Sequence, residues 1–278
     1  MSCQYIPSDT MSYDYVNSPI AFMREKPFLL SKVVSQALFS EQVTCVDKQN
    51  SWILVMTPDG YSGWIEDACI ISLREPYDSS HLVSRLKAHV YEVDDIEYGP
   101  ICSLPYGVGI EVVKEVCERW MKIKLPSGKH CFIQKGDIAT EQMLTKKEQL
   151  VSFSQKFLGL PYTWGGRSSC GYDCSGFIQM LYKKIQIDLP RDSHQQINDP
   201  RLRKCEPIDL QAGDLIFFGK SENQIKHVGL MLGDRKFIHA TSRENQPWIR
   251  VSSIDGFEWS GQEDAYYPFA TGRKLSHN

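Results

Sequence analysis

Cys174 lies in the run Leu160 to Met180, LPYTWGGRSSCGYDCSGFIQM, between a glycine-rich segment and an apolar-periodic one. Trp164-Gly165-Gly166 favours neither helix nor strand. From Ser175 to Lys184, the apolar residues Phe177, Ile178, Leu181 and Tyr182 recur at helical spacing. The cysteine is thus predicted at a loop-to-helix junction, with Asp173 or Cys174 itself near the N-cap. Unpaired backbone N–H groups and the positive end of the helix dipole meet there. At such positions a thiol pKa falls from about 8.5 to roughly 3.5–7.5, so a nucleophilic thiolate is expected.

A thiol nucleophile needs a base. His227 opens the run His227 to Leu232, and His239 closes the run Lys236 to Ala240. Both runs are β-rich, and Gly233-Asp234-Arg235-Lys236 between them reads as a hairpin turn. Paired antiparallel strands would bring the two imidazoles together on one face. His227 would then take the proton of Cys174, and His239 would fix the tautomer and orientation of His227. Taken singly, each residue also fits an ordinary role, a buried thiol or a strand histidine; the three together with these flanks point to catalysis.

The elements that must hold these groups follow from the rest of the chain. The 278 residues carry a net charge of −3 with both signs dispersed, and 42% hydrophobic residues. This is the balance of a globular chain with neither a nucleic-acid footprint nor a basic membrane face. The longest apolar runs fall short of the roughly 20 residues that cross a bilayer. No basic stretch followed by an apolar one opens the chain, so no secretory signal is read. Nine cysteines, an odd number without a C-x-x-C pair, argue against a disulfide framework or a zinc knuckle. Free thiols in a reducing cytoplasm, no metal, no cofactor and a monomer are the expectations.

Residues 1–27, Tyr/Ser-rich with Pro7, Pro19 and Pro27, read as an irregular arm. An internal repeat follows. SWILVMTPDGYSGWIEDACI and RWMKIKLPSGKHCFIQKGDI align at one constant offset, matching Trp52 with Trp120, Pro58 with Pro126, Gly60 with Gly128, Trp64 with Phe132 and Ile65 with Ile133. Each copy alternates apolar and polar residues around a Pro-x-Gly turn, the pattern of a β-hairpin. Gln42–Val46 and Gly109–Val113 read as an earlier strand in each. Two small β-barrels are assigned, to 28–79 and 80–140. From 141 to 159 the apolar pattern suits a helix, with Thr145 and Glu148 at capping-box spacing. It opens a third, α+β domain over 141–278. There the cysteine helix is followed by a loop from Pro190 to Asp209 and by strands at Asp214–Phe218, Val228–Leu232 and Phe237–Ala240.

Each N-terminal repeat resembles a bacterial SH3 (SH3b) domain, the first through its W…V-x-T-P-D-G-x-x-G-W-I run, the second more weakly because Phe132 replaces a Trp. Over about 145–272, Tyr162-x-Trp-Gly-Gly, Asp173-Cys174-Ser175-Gly176-Phe177, Arg191-Asp192-Ser193, Gly213-Asp214-Leu215, His227-Val228-Gly229 and Phe237-Ile238-His239-Ala240 resemble the NlpC/p60 cysteine peptidases. The resemblance implies a papain-like core that cuts peptidoglycan stem peptides after γ-D-glutamate. It implies Cys174 as nucleophile, His227 as base, His239 as orienter and Tyr162 as a hydroxyl that helps hold the oxyanion. Two SH3b domains before the catalytic domain resemble the γ-D-glutamyl-L-diamino-acid endopeptidases of dipeptidyl-peptidase VI type, which act on muropeptides with a free N-terminal L-Ala. That resemblance implies Asp173, Ser175, Asp192 and Ser193 as readers of the free amine, with Glu41 and Tyr77 of the first repeat closing the pocket. The matching stretch of the second repeat, Leu104 to Val108, has no acid. The diamino acid, meso-diaminopimelate or lysine, stays open. Two other readings are a non-catalytic wall-binding protein and an amidase or acyltransferase on the same core.

Overall fold

The computed structural model describes residues 12–140, 144, 147–243, 245–255 and 267–276. Thr145, half of the expected capping box, lies outside them. The chain divides into two compact units, 1–141 and 142–278.

The N-terminal unit holds two seven-stranded antiparallel sheets. The first comprises β1 (Tyr13–Val16), β2 (Ile20–Arg24), β3 (Val33–Leu38), β4 (Gln42–Gln49), β5 (Trp52–Met56), β6 (Ser62–Glu66) and β7 (Ile70–Leu73). The second comprises β8 (His81–Val83), β9 (Lys87–Tyr91), β10 (Pro100–Pro105), β11 (Gly109–Glu115), β12 (Trp120–Lys124), β13 (His130–Gln134) and β14 (Ile138–Ala139). Their strand orders, β3-β2-β6-β5-β4-β1-β7 and β10-β9-β13-β12-β11-β8-β14, are the same order element for element. The hairpin turns match as well: Thr57 N–H donates to Tyr61 O and Gly60 N–H to Thr57 O, while Leu125 N–H donates to Lys129 O and Gly128 N–H to Leu125 O.

Two expectations are corrected here. Neither sheet is closed, since among the described residues the edge strands β3 and β7, or β10 and β14, do not pair. The segment expected as an irregular arm contains β1 and β2. Ala21 and Met23 of β2 point into the first core with Val16 of β1, while Phe22 between them stays exposed. That period-2 alternation is a strand signal, overshadowed by the flanking prolines and polar residues.

The two sheets share a core. Phe39, from the first repeat, is buried among Val83, Val108 and Ile110 of the second. Ser40 Oγ donates to Gly109 O at 2.8 Å.

The C-terminal unit packs α1 (Lys147–Ser154), β15 (Arg167–Ser168), β16 (Gly171–Tyr172), α2 (Cys174–Lys183) and α3 (Ser193–Gln196) with a six-stranded antiparallel sheet. Its strands are β17 (Leu202–Cys205), β18 (Leu215–Gly219), β19 (Ile225–Gly233), β20 (Lys236–Ala240), β21 (Ile249–Ser253) and β22 (Phe269–Leu275), in the order β17-β22-β18-β19-β20-β21. The helix α2 packs on β19 and β20, burying Phe177, Ile178, Leu181 and Tyr182 completely. The segment from Pro190 to Asp209, expected as a loop, carries both α3 and the edge strand β17. Leu202 and Cys205 turn inward while Arg203 and Lys204 face solvent, and those charges hide the strand in the sequence. No described helix is long and apolar enough to cross a membrane.

Candidate active site

Asp173 is the N-cap of α2, its Oδ1 accepting from Gly176 N–H at 2.7 Å. This sets Cys174 as the first helical residue. The junction is tight: a Cβ on Gly176 would stand 2.2 Å from Gly166 O, so only glycine lets the Trp164-Gly165-Gly166 loop cross the helix start. Two backbone N–H groups, of Val228 and Ser175, reach the Cys174 sulfur. The Val228 contact brings the strand segment next to His227 onto that sulfur.

The histidines sit on adjacent strands, β19 and β20. Gly233 pairs with Lys236, leaving the two-residue turn Asp234-Arg235 with φ of 48° and 57°. Positive φ at both positions is the I′ geometry that matches strand twist. His227 Nε2 and His239 Nδ1 share a hydrogen bond of 2.7 Å, with the rings nearly perpendicular. His239 Nε2 meets Ser252 Oγ of β21 at 3.0 Å. A polar line thus runs from β19 through β20 to β21, buried between Phe218 and Phe237. Ser252 escapes sequence reasoning, because a serine in a strand carries no signal until its neighbour is known.

Electrostatics overturn one expectation. Burial pushes the Cys174 thiol up to about 12, the Asp173 charge adds to this, and the Val228 and Ser175 N–H groups with Arg191 only partly offset it. Burial also pushes His227 down to about 3 and holds His239 well below its usual value. Taken singly, each shift favours the uncharged form, thiol for Cys174 and imidazole for His227. The helix-start argument covers only the local field, and loss of water around the sulfur outweighs it.

Arg191, almost fully buried, grips Asp173 with two hydrogen bonds, Nη2 to Oδ2 at 2.6 Å and Nη1 to Oδ1 at 3.0 Å. Its Nη1 also reaches Ser175 Oγ at 3.0 Å, and Ser175 Oγ donates to Asp173 Oδ1 at 3.2 Å. Such a fork is strong when complete. Removing one partner of a buried pair costs about 3–5 kcal/mol. Gln196 Nε2 donates to Ser175 O and Pro190 O, fastening α3 to the start of α2. Sequence reading placed Arg191 in a motif without a partner and did not find Gln196.

Asp192 is the N-cap of α3, its N–H donating to Gln195 Oε1 at 3.4 Å; Asp192 and Ser193 are half-buried. Tyr162, half-buried, is fixed through its backbone, its N–H donating to Pro247 O and its strand bridge made with Tyr172, two residues before Cys174. Asp173 and Ser175 stand beside Cys174, whereas Glu41 and Tyr77 belong to the N-terminal unit. Glu41 Oε2 accepts from Leu38 N–H at 3.0 Å. Tyr77 is buried, its hydroxyl donating to Lys124 O at 2.7 Å and accepting from Glu111 N–H at 3.0 Å, so it joins the two repeats. Among the described residues no three His, Cys, Asp or Glu side chains converge as metal ligands.

A thiol at a helix start, a strand histidine and a second polar group holding that histidine are the set of groups a thiol hydrolase needs. Residues 159–263 match the NlpC/P60 family and residues 21–70 the bacterial SH3 domain. The gamma-D-glutamyl-L-lysine dipeptidyl-peptidase of Bacillus cereus is 30% identical over 255 residues, covering 83% of this chain and 74% of that protein. Dipeptidyl-peptidase 6 of Lysinibacillus sphaericus is 24% identical over 251 residues, covering 85% of this chain and 89% of that one. The crystal structure of an NlpC/P60 family protein from Bacillus cereus superposes with a TM-score of 0.78 at 22% identity, over 95% of this chain and 99% of the other. The chain belongs to the NlpC/P60 family and is a cysteine peptidase.

Proposed function

We propose that this peptidase hydrolyses the bond between γ-D-glutamate and the following diamino acid, lysine or meso-diaminopimelate, in peptidoglycan stem peptides that carry a free N-terminal L-Ala. The observation that carries the reading is the line His227, His239, Ser252, with the adjoining Val228 N–H on the Cys174 sulfur, in a chain similar over most of its length to enzymes named for that bond. His227 Nε2 is committed to His239, which leaves Nδ1 as acceptor for the thiol proton. The proton moves from sulfur to Nδ1 within a neutral pair, so no net charge enters the buried site. The thiolate then attacks the γ-carbonyl. Tyr162 and N–H groups at the start of α2 stabilise the oxyanion, each donor supplying about 3–4 kcal/mol. Imidazolium His227 gives its proton to the leaving amine as the C–N bond breaks and a thioester forms. Water, deprotonated by His227, opens the thioester and releases L-Ala-D-Glu.

The free amine would be read by charge-assisted hydrogen bonds to acceptors beside the nucleophile. Asp173 Oδ2 accepts one hydrogen bond, from Arg191, and retains acceptor capacity; Ser175, Asp192, Ser193 and the Glu41 carboxylate complete the proposed set. Tyr77 is the weakest member, since its hydroxyl is already engaged by two backbone groups of the second repeat. A second SH3b domain is supported by the strand order it shares with the first. A place in muropeptide recycling within the cytoplasm accords with the free thiols among the described cysteines.

The test is mass spectrometry of L-Ala-γ-D-Glu-meso-diaminopimelate, its lysine counterpart and their N-acetylated forms, with Cys174→Ala as control. Release of L-Ala-D-Glu from the free peptides only, lost in the control, is expected. Equal cleavage of acetylated peptides would remove the amine-reading roles. Cleavage of none would overturn the proposal.

A further inference from the structure

Between β2 and β3 the chain makes a loop, Glu25-Lys26-Pro27-Phe28-Leu29-Leu30-Ser31-Lys32, whose tip consists of three consecutive apolar residues turned to solvent. Phe28 is 50% exposed, Leu29 61% and Leu30 91%. Scattered exposed apolar residues are ordinary, but three in a row at one tip are not.

The loop is not a loose excursion. Glu25 N–H donates to Lys32 O at 2.9 Å, Phe28 N–H to Lys26 O at 2.8 Å and Ser31 N–H to Phe28 O at 3.0 Å. Lys26 N–H donates to the buried Ser31 Oγ at 2.9 Å, and Arg24 Nη1 reaches Ser31 O at 2.8 Å. The backbone satisfies itself inward while the apolar side chains are held outward, so little ordering entropy is left to lose on contact.

The base of the loop is basic. Arg24 closes the β2–β3 pair opposite Val33, and Lys26 and Lys32 flank the tip on its two arms. None of the three forms an ion pair among the described residues. Against one acid, Glu25, the segment is a positive spot on a chain of net charge −3. The dispersed charge of the whole sequence conceals it.

We propose that this loop attaches the protein to anionic lipid surfaces. An exposed apolar tip flanked by cations fits a bilayer interface: Phe28, Leu29 and Leu30 enter the acyl boundary while Lys26 and Lys32 meet lipid phosphates at headgroup depth. A protein partner would instead require a concave apolar socket for the tip. The loop lies outside the peptidase unit, and attachment is independent of which bond the enzyme cuts.

The experiment is co-sedimentation of the full chain with vesicles of phosphatidylglycerol and phosphatidylcholine in equal parts, and with phosphatidylcholine alone. Partition to the anionic vesicles is expected, falling with added salt. It should weaken about tenfold or more in Leu29→Asp/Leu30→Asp, which withdraws two side chains from the lipid, and also in Lys26→Glu/Lys32→Glu. Peptide hydrolysis and circular dichroism should be unchanged in both. No partition to anionic vesicles, or equal partition of either double variant, would overturn the proposal. So would a concentration-dependent dimer that Leu29→Asp/Leu30→Asp abolishes without vesicle binding, which would assign the tip to a second copy of this chain.

Discussion

His227 and His239 are buried as neutral rings, and this has a cost that depends on pH. The unfolded chain protonates them near their ordinary value of about 6.5, whereas folded His227 takes a proton only near 3. Between these values the unfolded state binds more protons, so stability rises with pH across the interval and is lost as pH falls below about 6.5. At pH 5 the His227 contribution amounts to about 2 kcal/mol relative to pH 7. Urea midpoints of the protein at pH 7 and pH 5 measure it; His239→Gln should flatten the difference, because it removes the second such group. The residues of this site divided sharply in how legible they were. Type and spacing single out Cys174, His227 and His239, and the structure joins His227 to His239. The state of the thiol is not legible there, because a helix terminus is visible in sequence and desolvation by distant strands is not. Ser252 and the grip of Arg191 on Asp173 are tertiary facts, set by which strand or loop comes alongside.

At the scale of elements, the β19–β20 hairpin carries both histidines, and Gly229 sets its closeness. A Cβ there would stand 2.7 Å from Phe237 Cδ2 and 3.4 Å from His239 Cβ. Gly229→Val should therefore push β20 outward, costing about 1–3 kcal/mol in overpacking. The His227–His239 bond of 2.7 Å should lengthen with it. The expected reading is a kcat reduced by tenfold or more with KM little changed, together with a lower thermal midpoint; an unaltered kcat would show that the imidazole pair tolerates the displacement. The hairpin could be read because its strands and turn are local. Strand β2 and strand β17 could not, since prolines around one and charges within the other mask an alternation of few residues.

At the scale of the molecule, the repeat was plain in the aligned tryptophans, proline-glycine turns and glycines, but the openness of the two sheets was not, because closure depends on edge strands meeting in space. Tyr77 tests what its hydroxyl is for. Tyr77→Phe leaves Glu111 N–H and Lys124 O without their partner, a loss of about 1–3 kcal/mol in the stability of the N-terminal unit. If joining the repeats is its whole task, kcat/KM for the free peptide stays at the wild-type level; a raised KM would return Tyr77 to the substrate pocket. The neutral state of Cys174 has a further consequence, in how the protein meets oxidants and electrophiles. Such reagents attack thiolate, and a thiol near 12 offers almost none. Cys117 and Cys170 lie exposed at the surface, so a small alkylating reagent should label them ahead of Cys174. The proposed nucleophile is thus held in its less reactive form in the resting protein.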